Sequence, residues 1–179
     1  MHSVALLETQ GYPSLAETAH FYYRDSAAHE VGHGLTAKEL GATRICAVMP
    51  GPPHGRGYCS YTAPRARDEL DELFDSLVIS LAGTAAEHLA AGLDPLGPGL
   101  EFEIAKRSLL IETRPAPNAW EAALDVLERL CEGDRSLAES ALSRELEGLL
   151  LRAVAILKKR SAELERLTAR LEREREILI

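Results

Sequence analysis

The stretch His29-Glu30-Val31-Gly32-His33 constrains the local fold more strongly than any other part of the sequence. On a helix, two histidines four positions apart project from the same face, about one turn apart, where one metal ion can meet both. Apolar residues recur at helical spacing on both sides of the stretch, and Gly41 is a good helix terminator. The sequence therefore predicts a helix over residues 15–40 with both imidazoles on one face.

This spacing is typical of a zinc site. One metal ion can bind both imidazoles, and Glu30 then lies close to the open side of the metal without being a ligand. From that position its carboxylate can act as general base and then as general acid in a hydrolysis. We interpret His29 and His33 as metal ligands and Glu30 as the catalytic residue. The competing interpretation is a solvated helix face that happens to carry two histidines.

The rest of the chain reads as mostly helical, with a small hairpin or sheet edge. Strands are predicted over residues 43–49 and 57–61, and helices over 66–91, 100–113, 118–131 and 135–178. A continuous helix over residues 143–177 would be about 50 Å long. The predicted fold is mainly α, with a small β element and a long C-terminal helix. We expect a single domain over 1–179, divided into a metal-binding core (1–114) and a C-terminal helical part (115–179).

Charge and composition exclude some partners. A chain of 179 residues with 46% hydrophobic and 27% charged residues can form one sizeable core. Its net charge of −8 provides no field to attract phosphates, so neither nucleic acid nor an anionic membrane surface is an expected partner. The one basic run, Lys158-Lys159-Arg160, is expected to be a solvated helix face.

Two further features indicate the cytoplasm. No window approaches the ~18 consecutive apolar residues that span a bilayer, and the first residues lack an export pattern. The three cysteines, Cys46, Cys59 and Cys131, are few and odd in number, which argues against a disulfide framework. We expect all three to be reduced thiols.

A catalytic zinc needs a third protein ligand besides the two histidines, with a fourth position left for water. No third histidine follows at short spacing, so this ligand must come from later in the chain. Spacing and residue type leave several candidates open, which are Glu87, His88, Asp94, Glu101 and Glu103.

Three segments in this order resemble the peptidase domain of the FtsH family of ATP-dependent zinc proteases. They are His29-Glu30-Val31-Gly32-His33, then Leu81-Ala82-Gly83-Thr84-Ala85-Ala86-Glu87-His88-Leu89, and then Glu101-Phe102-Glu103-Ile104-Ala105 after Gly92. The resemblance implies a zincin-like fold, a Zn²⁺ cofactor and peptide-bond hydrolysis. The family's third zinc ligand is an Asp nine residues after the glycine that ends the preceding helix. Counting from Gly92, that position is Glu101, which the resemblance thus implies as the third ligand.

The sequence departs from the family pattern in three ways. Glu101 replaces the family's Asp, but a carboxylate one methylene longer can still bind zinc. His88 stands where the family has a second Glu; its alternatives are a partner of a zinc ligand and a surface residue, and we favour the surface residue. For His54, in a Pro/Gly turn, we likewise favour a structural residue over one at the rim of the active site. These 179 residues also contain no Gly-x-x-x-x-Gly-Lys-Ser/Thr phosphate loop.

Without that loop, the expected substrate is a peptide or an already unfolded protein, unless a separate ATPase chain supplies the motor. The resemblance also implies a homo-oligomer. The rival interpretation from another class is a non-catalytic interaction or regulatory protein, with a structural or vestigial zinc site, that associates through its C-terminal helices.

Overall fold

A computed structural model describes residues 15–49, 57–63, 69–93, 95 and 119–179. Its elements in chain order are α1 (Leu15–Glu39), β1 (Thr43–Val48), β2 (Tyr58–Thr62), α2 (Glu69–Ala90), α3 (Ala119–Leu130), α4 (Arg135–Lys159), α5 (Ser161–Glu174) and β3 (Glu176–Leu178). The prediction of a mainly helical chain with a small β element is confirmed. The helix predicted over residues 100–113, as well as His54 and Glu101, lies outside the described residues.

Glycines end the first two helices as the sequence predicted. Gly41 has a φ of 93°, and beyond it the Ala42 N–H donates to the Ala37 carbonyl at 2.9 Å. Gly92 has a φ of 73° and ends α2 in the same manner. A residue without a Cβ adopts this left-handed conformation at no steric cost, so the helix can turn and satisfy its last carbonyls.

The three strands form an antiparallel sheet in the order β2-β1-β3. Ala47 in the central strand pairs with Cys59 of β2 on one side and with Ile177 of β3 on the other. Ala47 and Ile177 are buried, and this face of the sheet packs into the helical core. The predicted hairpin of β1 and β2 is confirmed, whereas β3 was not predicted.

The prediction of a continuous C-terminal helix over residues 135–178 is wrong in two places. The helix breaks at Arg160, between α4 and α5, and it ends at Glu174 before a strand. On a straight helix Leu157 and Leu171 would be about 21 Å apart. Both side chains are fully buried in the same core, so the break lets the second segment pack against the body.

The basic run at this break is not a uniformly solvated face, so that prediction is wrong for Arg160. Its side chain is only 16% exposed, and it donates to Glu163 at 2.6 Å and to the Leu35 carbonyl at 3.4 Å. Lys159 remains exposed but contacts Glu39 at 2.7 Å. These contacts connect the end of α1 to the α4–α5 junction.

Helix α1 lies at the centre of the molecule, in contact with α2, α4, α5 and the strands β1 and β2. The core is formed mainly by aliphatic side chains of the five helices and of β1 and β3. Its largest fully buried members are Val31, Leu35, Met49, Leu77, Leu81, Leu124, Leu142, Leu146, Leu157, Leu171 and Ile177.

The three cysteines are free thiols, as predicted. None of the helices in the described ranges has a segment long and apolar enough to cross a bilayer.

We expect Arg160→Ala to lower the free energy of unfolding by about 1–3 kcal/mol, because it removes charge-assisted hydrogen bonds from a mostly buried site. Urea unfolding measures this change. Arg166→Ala is the matched control, since Arg166 is 65% exposed and reaches Glu163 only at 4.0 Å. The control should stay within about 0.5 kcal/mol of wild type. Equal effects of the two substitutions would contradict the structural role of Arg160.

The same junction predicts a pH dependence. Partial burial raises the pKa of Glu163, but the hydrogen bonds and charges of Arg160 and, to a smaller extent, Lys38 together outweigh it and hold the pKa below its usual 4.5. A carboxylate with a depressed folded-state pKa stabilises the protein above the unfolded-state value, and this stability is lost as the pH falls below it. In urea unfolding at pH 7, the free energy of unfolding of wild type should therefore be larger than that of Glu163→Gln. This difference in free energy should shrink as the pH is lowered towards 3. A constant difference would contradict this ion pair.

Candidate metal centre

Helix α1 presents both histidines of the sequence motif on the face that packs against α2. The ring centroids of His29 and His33 are 4.6 Å apart and the rings are nearly perpendicular, at 88°. Both side chains are partly buried, and Glu30 between them is only 7% exposed. The predicted helix thus brings together the two imidazoles and places the carboxylate in a largely dry environment.

The Nδ1 atom of each histidine contacts an acceptor on α2. His33 Nδ1 lies 2.7 Å from the Ile79 carbonyl oxygen, and His29 Nδ1 lies 3.2 Å from Glu87 Oε1. A carbonyl can only accept, so Nδ1 of a neutral His33 carries the proton, and a carboxylate favours the same tautomer for His29. In this tautomer Nε2 carries the lone pair, which is the form of histidine that binds a metal.

Close packing between α1 and α2 makes these contacts reachable. A Cβ added to Gly32 on α1 would lie 2.5 Å from Ala86 Cβ and 2.6 Å from the Ala82 carbonyl oxygen. On α2, a Cβ added to Gly83 would lie 2.6 Å from three ring atoms, which are Cε1 and Nε2 of His29 and Cε1 of His33. The two rings therefore converge on one point of α2, where only a glycine leaves room for them.

Glu30, which lies between the two histidines in sequence, is also close to the start of β2. Gly57, just before β2, approaches its side chain closely. The charge of Glu30 also acts on Cys59 of β2. Burial first, and then the Glu30 carboxylate, raise the pKa of the Cys59 thiol to about 12. Cys59 therefore stays a neutral thiol at physiological pH beside the candidate base.

The two histidines fit one half of a zinc site. Glu101, the predicted third ligand, lies outside the described residues, as do Asp94 and Glu103. Within the ranges that the structure describes, no group of three or more His, Cys, Asp or Glu side chains is arranged to hold a metal ion. Among the described residues, the candidate donors are thus the two imidazoles, whose ring centroids are 4.6 Å apart.

Two of the open alternatives for the third ligand lie at the end of α2. Glu87 contacts the Nδ1 side of His29, which places it as a partner of that ring and not on its metal-binding nitrogen. His88 lies in the last turn of α2 and is partly exposed.

Sequence reasoning missed the close approaches of Gly57 and Gly83 and the carbonyl of Ile79. One signal was available for Gly83, because glycine in a helix interior costs about 1 kcal/mol relative to alanine and so indicates a packing reason. No signal in the sequence marks the Ile79 carbonyl, since every residue carries one.

No family model matches the chain. A part of the chain is similar to the ATP-dependent zinc metalloprotease FtsH of Methylibium petroleiphilum, with 39% identity over 71 residues. The match covers 37% of this chain and 12% of that protein. The chain thus spans about an eighth of the length of this relative, and the similarity indicates an FtsH-related origin for the matched part.

If Glu87 holds the His29 ring, Glu87→Ala should weaken zinc binding about 10- to 100-fold, the usual effect of removing the partner of a metal-bound histidine. Competition with a chromophoric chelator measures the affinity. Glu72→Ala is the control, because Glu72 is an exposed carboxylate on the same helix. Zinc affinity of Glu87→Ala equal to that of Glu72→Ala would show that Glu87 does not support the site.

Proposed function

We propose that this chain is a zinc-dependent metallopeptidase that hydrolyses peptide bonds in peptides or unfolded proteins. The observation that carries the proposal is the arrangement around α1. The rings of His29 and His33 lie together, with His33 Nδ1 hydrogen-bonded to the Ile79 carbonyl and His29 Nδ1 3.2 Å from Glu87, and the Glu30 side chain is buried. The partial similarity to a protein named as a zinc metalloprotease supports the same class of reaction.

His29 and His33 would hold the zinc through Nε2. When bound, zinc supplies a Lewis acid for the scissile carbonyl and lowers the pKa of water to about 7. Glu30 supplies the proton transfers. Its carboxylate takes the proton from the attacking water and then gives it to the departing amine, so that the carboxylate is regenerated at the end of the cycle.

The surroundings of these residues favour that chemistry. The Ile79 carbonyl fixes the ring orientation of His33, so that ring loses little freedom when a ligand binds, and the Glu87 carboxylate lies 3.2 Å from Nδ1 of His29. Glu30 is 7% exposed, and a carboxylate held away from bulk water interacts more strongly with a nearby proton donor.

We propose Glu101 as the third zinc ligand, because it stands at the position of the Asp ligand in the FtsH family. Asp94 and Glu103 are the alternatives from the same part of the sequence. A cytoplasmic location, assembly into a homo-oligomer and cooperation with a separate ATPase remain proposals of the same kind, based on the sequence and on the resemblance alone.

Elemental analysis and hydrolysis of unfolded casein together test the proposal. Wild type should contain about one zinc per chain, and Glu101→Ala should lose it whereas the control Glu103→Ala should keep it. Glu30→Gln should keep zinc but hydrolyse casein at least about 100-fold more slowly, the usual contribution of a general base.

Two results would contradict the proposal. If wild type binds no zinc, the histidine pair is not a metal centre. If wild type binds zinc but hydrolyses no more casein than Glu30→Gln, the site is structural or vestigial, and the non-catalytic interaction protein becomes the better interpretation.

A further inference from the structure

Gly57 fills a position at which any side chain would collide with Glu30. A Cβ built on Gly57 would lie 2.6 Å from Glu30 Cγ, 2.6 Å from Met49 Sδ and 2.9 Å from the Val48 carbonyl oxygen. Carbon atoms in favourable contact are about 3.5–4.0 Å apart, so the first of these distances is short by about 1 Å. The φ angle of Gly57 lies outside the left-handed region. Space, and not backbone conformation, therefore demands a glycine here.

The surroundings determine which of the three atoms would move. Val48 belongs to the central strand and pairs with Tyr58 on one side and Glu176 on the other, so its carbonyl is fixed by the sheet. Met49 is 1% exposed, and its N–H donates to the Arg175 carbonyl at 2.7 Å. Its thioether lies near the end of a flexible side chain, which can shift within the core. A methyl group at position 57 would thus displace the Glu30 side chain, the Met49 thioether, or both.

Two other glycines provide contrasts. Gly83 approaches the histidine rings and not Glu30, so an alanine there would act on the metal ligands. Gly148, in α4, has no atom within 4 Å of an added Cβ, so an alanine there meets nothing. Gly57 thus lies against Glu30, Gly83 lies against the two histidines, and Gly148 has open space at the position of an added Cβ.

We propose that Gly57 is a positioning residue for Glu30. By bringing the start of β2 against the Glu30 side chain, it fixes where the carboxylate stands relative to the two histidines. This inference rests on the proposed function insofar as Glu30 is the general base. Its contact with Glu30 can nevertheless be tested without any activity.

The activity test compares Gly57→Ala with the control Gly148→Ala. Gly57→Ala should keep the zinc content and the KM of wild type for a peptide substrate, whereas kcat should fall about 100-fold, as expected for a reacting group displaced by 1 Å. Gly148→Ala should match wild type in all three quantities. In a Glu30→Gln background, Gly57→Ala should cause no further loss, because the group on which it acts has already been disabled.

The second test measures stability in the metal-free protein. Urea unfolding of wild type, Gly57→Ala, Glu30→Ala and the double variant forms a cycle. Glu30→Ala removes the Cγ atom, one of the three atoms that the new methyl would meet, whereas Met49 Sδ and the Val48 carbonyl oxygen remain. Gly57→Ala should therefore lower the unfolding midpoint less in the Glu30→Ala background than in wild type. If Gly57→Ala alone does not fold, the double variant should restore a cooperative transition.

The outcomes separate this inference from the proposed function. Wild type without hydrolysis would overturn the peptidase proposal, and the stability cycle would then decide the Gly57 contact alone. Additive effects in the cycle, or a double variant that stays unfolded, would overturn the inference. Three results for Gly57→Ala would also overturn the inference. These are full activity, a loss of zinc in parallel with activity, and a fall in kcat that is as large in the Glu30→Gln background as in wild type.

Discussion

The close contact between α1 and α2 is the constraint on which the rest of the site depends. Gly32 on α1 meets the Ala82–Ala86 surface of α2, and Gly83 on α2 meets the two imidazole rings. Without a side chain at either glycine, the helices approach closely enough for acceptors on α2 to reach the Nδ1 atoms of the histidines. A wider separation would leave both rings without these partners and free to adopt other rotamers.

The remaining elements hold α1 from its other sides. The sheet approaches it at Gly34, where an added Cβ would collide with the side chain of Ile179, and near Glu30 through Gly57. Arg160 connects the C-terminal end of α1 to the junction of α4 and α5. The two histidines and Glu30 thus have different close neighbours, with α2 packed against the imidazoles and the start of β2 against Glu30.

Much of this fold follows from local signals in the sequence. Helical periodicity together with Gly41 and Gly92 predicted α1 and α2, and two strand-like runs on either side of a Pro/Gly turn predicted β1 and β2. The histidine spacing predicted which three residues of α1 form the candidate site. These signals suffice because each is a property of a few consecutive residues.

The errors have the opposite origin. The break at Arg160 and the strand β3 depend on contacts with segments more than 100 residues away in the chain, namely the end of α1 and strand β1. The periodicity of residues 135–178 is equally compatible with a single straight helix, so local pattern could not reveal either feature. The ring partners of the histidines were beyond prediction for the same reason, since they depend on how α1 and α2 pack.

The most direct test of a zinc centre built on the two histidines of α1 is X-ray absorption spectroscopy of the zinc-loaded protein. The structure predicts two imidazole nitrogens at about 2.0–2.1 Å, with oxygen ligands completing a four-coordinate site. In His33→Ala one of these imidazole contributions should disappear. A spectrum with a sulfur ligand at about 2.3 Å, or one unchanged by His33→Ala, would show that the zinc binds elsewhere and would contradict this account.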